Sequence, residues 1–283
     1  MYFKPYIEIV ANLKAMLDFS KSIDLSRVNE LEQIVFKDSL EVTPLMWFSY
    51  KHLVKWKKKA ISPIFPYSLL THLQIQLASH SLFPSQPLGI LHKRETIQQL
   101  GSLKLGTWDF ETSLRSFKPI EKGYETSIIT NLFIDGVLVW QSETIGFIKD
   151  EDAKPVKKKP RDKFDATVYK KVTGIKVNPL KANQYAWISG NIDPIHFSTL
   201  TAKLMGHPTS IMHGMWSVGR IASALAIDNF EGTTIKVKFI SGFYLPGKAD
   251  ILTKKEDGVT KFCLYNAEKD KPYLIGEVDY FSA

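Results

Sequence analysis

Ile188-Ser-Gly-Asn-Ile-Asp-Pro-Ile-His196 and, further on, Ile211-Met-His-Gly-Met215 decide how this chain is read. The first stretch places two small polar side chains, Ser189 and Asn191, and a carboxylate, Asp193, just ahead of His196. The second opens the segment from Ile211 to Ala226, where Met212, Met215, Trp216, Val218, Ile221, Ala222 and Leu225 describe a helix apolar around most of its circumference. Gly214 and Gly219 lie on it where a close backbone approach would be useful. The start of a helix offers unpaired backbone N–H groups and the positive end of its dipole. A histidine, polar groups able to hold water and such a helix start are the equipment for handling a developing oxyanion, and they point to thioester chemistry.

Outward from that helix, Phe164 to Val177 is expected as a strand and Asn183 to Ser189 as a short helix. Phe197 to Met205 is expected as a helix capped by Ser198 and stopped by Gly206. Thr233 to Phe239, Lys248 to Lys254, Thr260 to Ala267 and Tyr273 to Phe281 read as strands, turned by Pro246-Gly247 and Asp257-Gly258. The first half follows a similar plan. Ser68 to Ala78, with Leu69, Leu70, Leu73, Ile75 and Leu77, is a buried helix; Leu88 to Ile97, Thr107 to Phe117, Glu125 to Asp135 and Val137 to Ile148 follow as strands, with Asp135-Gly136 as a hairpin turn. Between the halves, Lys154, Lys157, Lys158, Lys159, Arg161 and Lys163 stand against Asp162 alone, with Pro155 and Pro160 and no apolar periodicity. That segment reads as a linker, dividing the chain into residues 1–150, a linker at 151–163 and residues 164–283. The predicted class is α+β, two antiparallel sheets each wrapped around a central apolar helix.

Composition narrows the function classes. A chain of 283 residues, 44% hydrophobic and 23% charged, is ordinary for a globular protein able to bury one large core or two smaller ones. Of the formal net charge of +8, residues 154–163 hold +5, and the basic runs lack interleaved aromatics, so a nucleic-acid partner is not expected. A second basic run, Lys55-Trp-Lys-Lys-Lys59, on an amphipathic stretch, reads as solvated surface, with a landing patch for a phosphate-bearing carrier as the functional alternative. No apolar run approaches the roughly 20 residues of a membrane span, and Met1-Tyr-Phe-Lys-Pro-Tyr-Ile7 lacks the plan of a signal peptide, so a cytoplasmic protein is expected. Cys263, in the alternating Lys261-Phe-Cys-Leu-Tyr265, is expected as a core thiol. The spacing of His196, His207 and His213 does not suit zinc, and no glycine-rich phosphate or dinucleotide loop is present, so neither metal nor redox cofactor is expected.

Tyr185-Ala-Trp-Ile-Ser-Gly-Asn-Ile-Asp-Pro-Ile-His196, taken with Ile211-Met-His-Gly-Met215, resembles the signature of the MaoC-like hydratases and dehydratases, Ser-Gly-Asp-x-Asn-Pro-Ile-His followed by Ile-x-His-Gly-Met. The resemblance is specific over residues 185–220. It is weaker over 63–97, where Phe65-Pro66 and Pro87-Leu-Gly-Ile-Leu-His92 are similar to the degenerate first repeat of double-hotdog members. It implies a double hotdog with chemistry in the second repeat and acyl-chain space from the first. It also implies reversible hydration of trans-2-enoyl thioesters to (R)-3-hydroxyacyl thioesters, on coenzyme A or on the phosphopantetheine of an acyl carrier protein, in a monomer or a homodimer. One position departs from the pattern: the catalytic aspartate of the family falls on Asn191, and its asparagine falls on Asp193. An amide can orient water but accepts no proton at neutral pH.

Read on chemistry, His196 is the base, since an imidazole titrating near neutrality suits proton transfer at cellular pH. Gly214 is the oxyanion donor, Asn191 holds water, and Ser189 and His213 support substrate binding. Asp193 either replaces the missing carboxylate or caps a turn beside Pro194, and the latter is preferred. Two other readings stand beside the hydratase: a silent acyl-thioester-binding protein that lost the aspartate, and a basic module binding nucleic acid through Lys154 to Lys163. His207, in a loop before Pro208, is given no role, and Met205, Met212, Met215 and Trp216 are assigned to core and acyl-tunnel lining.

Overall fold

The computed structural model describes residues 24–85, 89–150 and 164–280. In the first half these form α1 (Val28–Glu32), β1 (Val35–Val42), α2 (Pro44–Leu53), a 3-10 turn at Pro66–Leu69, α3 (Thr71–Ser79), β2 (Leu91–Gln99), β3 (Gly106–Ile120), β4 (Gly123–Ile134) and β5 (Val137–Lys149). The second half contains β6 (Lys170–Val177), α4 (Pro179–Ser189), a 3-10 turn at Pro194–His196, α5 (Thr199–Leu204), α6 (Gly214–Ala224), β7 (Thr233–Phe239), β8 (Gly247–Glu256), β9 (Val259–Asn266) and β10 (Lys271–Tyr280). The halves repeat strand for strand. β1-β3-β4-β5-β2 in one is matched by β6-β8-β9-β10-β7 in the other.

The two expected sheets are five-stranded halves of one. β2 pairs antiparallel with β7, Arg94 opposite Lys238 through Gln99 opposite Thr233, so a ten-stranded antiparallel sheet runs through both repeats. α3 and α6 are the two central helices. On α3, Leu73, Leu77 and Ala78 are buried; on α6, Met215, Trp216, Val218, Ile221 and Ala222 are. One apolar cluster holds Trp108 and Trp140 of the first half together with Trp216, Ile235 and Phe262 of the second. Burying such a side chain contributes about 1.5–3 kcal/mol, so this shared cluster couples the halves energetically.

The hairpin turns follow the sequence: Asp135-Gly136 and Asp257-Gly258 all have positive φ, as a two-residue hairpin turn of that hand requires. Ser198 caps α5 through a reciprocal bond with Thr201. The strand assigned to Phe164–Val177 begins only at Lys170, behind a turn. The basic run follows the end of α2 at Leu53: Lys55, Lys57 and Lys59 are exposed as a solvated surface requires, but Lys55 turns the chain with φ 57°, Trp56 is buried, and Lys58 Nζ donates to the Ser223 carbonyl at 2.9 Å. The run therefore ties the first half to α6. β1 and α2 were not anticipated; yet Val42-Thr-Pro-Leu45 and Val177-Asn-Pro-Leu180 are the same start signal twice. Thr43 accepts the N–H of Met46 and Asn178 that of Lys181, each followed by proline. The proposed linker at 151–163 lies outside the described residues.

Candidate active site

The decisive stretch folds as a staircase of local hydrogen bonds. α4 ends at Gly190, whose φ of 65° is the left-handed cap that a glycine adopts without a Cβ clash. Ser189 Oγ donates to Tyr185 O and accepts the N–H of Asn191; Asn191 Oδ1 accepts the N–H of Asp193; Asp193 Oδ1 accepts the N–H of Ile195. Asp193 thus caps the short turn that presents His196. The ring of His196 is fixed from the other side, because Nδ1 lies 2.7 Å from the carbonyl of Ile211, whose own N–H returns a bond to Ile195 O. A carbonyl only accepts, so Nδ1 carries the proton and Nε2 is the nitrogen left with a lone pair.

His213, immediately before α6, stacks on His196 with ring centroids 3.6 Å apart, and its Nε2 is 3.3 Å from Asn191 O. Both imidazoles are pushed below their ordinary 6.5. For His196 burial is the main cause, opposed by the Asp193 charge and the Ile211 bond, with His207 adding to the depression. For His213 burial is reinforced by His196, and the shift is large. Both rings are therefore neutral at pH 7, which is the state a proton acceptor needs.

These groups line a cavity of about 370 Å³. Asn191, Asp193, His196, His213 and Gly214 are all on its wall. Gly214 is the first residue of α6, and a Cβ there would lie 2.6 Å from the Phe239 ring, so glycine lets the ring close over the helix start. Ser189 is not on the wall; it is buried and spends its hydroxyl on the loop. Met212 and Met215 line the cavity, whereas Met205 and Trp216 do not.

The first half lines the same cavity with Tyr67, Thr71, Ile90, Leu91, His92 and Lys93. His207 also reaches the cavity, a position with no local signal in its loop. Among the described residues no group of three or more His, Cys, Asp or Glu is arranged to hold a metal ion, and no helix is long and apolar enough to cross a membrane. Cys263 is buried, its thiol pushed up to about 12 by desolvation, which leaves it inert as a nucleophile.

The sequence of residues 157–262 matches the family model described as MaoC like domain. The 3-hydroxyacyl-thioester dehydratase X of Mycobacterium tuberculosis is 24% identical over 221 residues, 76% of this chain and 77% of that protein. Among solved structures, HtdX of the same organism superposes with a TM-score of 0.76 at 19% identity, covering 88% of this chain and 100% of that one. A MaoC-like dehydratase from Phytophthora Capsici gives 0.71 at 18% identity, covering 90% and 98%. At such identities the structural likeness establishes the fold, a double hotdog. Within it, the second repeat contributes His196 and Gly214 to the cavity, and the first repeat contributes Tyr67, Thr71 and His92.

Proposed function

We propose that the protein is a hydro-lyase of acyl thioesters, reversibly hydrating a trans-2-enoyl thioester to the (R)-3-hydroxyacyl thioester. One observation carries this reading: a neutral imidazole, held by Ile211 so that Nε2 is its free nitrogen, shares a cavity with the N-terminal glycine of α6. In hydration, Nε2 of His196 takes a proton from water as the water oxygen bonds to C3. The electrons of the double bond move onto the thioester oxygen, where the Gly214 N–H and the helix dipole favour the charge. A proton added to C2 completes the product. The dehydratase name of the curated relative and the MaoC-like match support the thioester class, and the resemblance supports the (R) outcome. No step of this chemistry calls for a metal or a redox cofactor; coenzyme A or a carrier phosphopantetheine enters as part of the substrate.

The amide at Asn191 favours a second reading, a silent acyl-thioester binder. The test is loss of the conjugated enoyl absorbance with short and medium trans-2-enoyl-CoA. Turnover in the wild type, reduced by about 10²-fold or more in His196→Ala, with chiral analysis giving the (R) product, supports the hydro-lyase. Binding without turnover, converted to turnover by Asn191→Asp, identifies the silent binder instead.

A further inference from the structure

The proposed hydration moves two protons, one off water and one onto C2, and only His196 has so far been given to it. Asn191, where the family pattern has a carboxylate, supplies no second proton-transfer group. The same cavity is lined by one member of a histidine–carboxylate pair from the first repeat. His92 lines the cavity, and its Nε2 is 2.9 Å from Oε2 of Glu95. The Glu95 side chain is 0% exposed, and Oε1 is buried without a hydrogen bond.

The backbone arranges this pair. On a regular strand, residues three apart point to opposite faces. The pairing of β2 with β5 shifts register between His92 and Arg94, and this bulge turns His92 to the same side as Glu95. Bulges that re-aim a side chain recur beside active sites. The imidazole is then clamped between two rings: Tyr67, stacked with centroids 5.8 Å apart, and Phe239 at 4.5 Å. Glu95 is held in turn, because Thr144 Oγ1 donates to Oε2 at 2.8 Å, Gln74 Nε2 donates to Thr144 at 2.9 Å, and Tyr67 Oη donates to Gln74 Oε1 at 3.2 Å. A connected network that starts and ends on the cavity wall is far more than a strand needs to hold its shape.

We infer that His92, oriented by Glu95, is the second proton-transfer group of this site, contributed by the first repeat. The assignment rests on the hydro-lyase reading. Nε2–H donated to the carboxylate leaves Nδ1 as the transferring nitrogen. In hydration, His196 takes one proton from water while the imidazolium of His92, neutralised by Glu95, gives one from Nδ1 to C2. His92 ends neutral and His196 protonated, and exchange with solvent at the cavity mouth resets both. Dehydration runs the same transfers backwards. Glu95 acts through His92 and is a positioning residue; burial raises its carboxyl above the ordinary 4.5, opposed by His92 and Thr144.

The experiment uses the full-length protein with trans-2-enoyl-CoA, measuring kcat and KM across pH. Wild type and His196→Ala are assayed first, then His92→Gln and Glu95→Gln. The expected result is a fall in kcat of about 10²-fold in His92→Gln with KM within about threefold, and the loss of one limb of the pH–kcat profile in Glu95→Gln. If Glu95→Gln does not fold, His92→Gly with added imidazole carries the question: recovered turnover supports the pair, and no recovery in folded protein counts against it. An active wild type, disabled by His196→Ala but unchanged in rate and pH profile by His92→Gln, overturns the pair and leaves the hydro-lyase reading standing. A wild type that binds enoyl-CoA without converting it overturns both.

Discussion

His196 and His213 are buried against each other in their neutral form, and the sign of the consequence is fixed. Both folded values lie below 6.5, so under acid the unfolded chain takes up protons that the folded one refuses. Their contribution is nil well above 6.5, and stability falls as pH drops through 6.5 toward the folded values. Glu95, raised by burial, works in the opposite direction above 4.5, so the two contributions oppose each other in Tm measured against pH between 4.5 and 6.5. For activity, the acid limb of kcat/KM is expected below 6.5; a limb at or above that value would show that His196 is not the titrating base. Asp193 divides structure from chemistry by another route. Its Oδ1 caps the turn before His196, a role asparagine fills equally well. Asp193→Asn should therefore leave Tm and kcat nearly unchanged, while Asp193→Ala costs about 1 kcal/mol of stability. A collapse of kcat in Asp193→Asn alone would instead make this carboxylate a reacting group. Asp193 makes the cap bond and also lines the cavity. His92 escaped the sequence reading because strand alternation places residues 92 and 95 on opposite faces, and only a bulge invisible in the alternation brings them together.

At the scale of elements, α6 shows where burial patterning is a good guide. Its apolar circumference announced a central helix, and Gly219 announced a close approach. What it met could not be read locally: a Cβ there would lie 2.6 Å from Tyr50 Oη and 3.1 Å from Val54, both of the first half. Two effects compete in Gly219→Ala. Alanine gains about 1 kcal/mol of helix propensity over glycine, but overpacking a rigid core costs about 1–3 kcal/mol. Tyr50 is fully buried, and Val54 accepts a bond from Arg220 Nη1 at 2.7 Å, so neither can yield cheaply. Net destabilisation is expected, measured as a lowered urea midpoint at unchanged slope. A stabilised variant would show that Tyr50 and Val54 yield to an added methyl group at little cost. β1 and α2 went unread because apolar Val35 faces outward and Asp38 inward, which blurs in the sequence an alternation that the strand's burial follows strictly. Their start signal, proline after a capping side chain, becomes persuasive only when the matching Asn178-Pro179 is set beside it.

For the whole molecule, two halves of similar pattern look separable in the sequence, and the structure joins them in one sheet. Complementary edges are hard to see in a sequence, since β2 and β7 each look like any half-buried strand. Their pairing makes one sheet, and one core cluster crosses it. Urea unfolding is therefore expected in a single transition, with tryptophan fluorescence and enoyl-CoA turnover lost together; separated transitions would mean that the halves stand alone. The β2–β7 seam has one more consequence, for dilution. Were the two walls of the cavity on separate polypeptides, mass action would pull them apart as the protein became scarce. Here a covalent tether keeps each wall in the presence of the other, so turnover per molecule should hold constant from micromolar down to the faintest detectable amount.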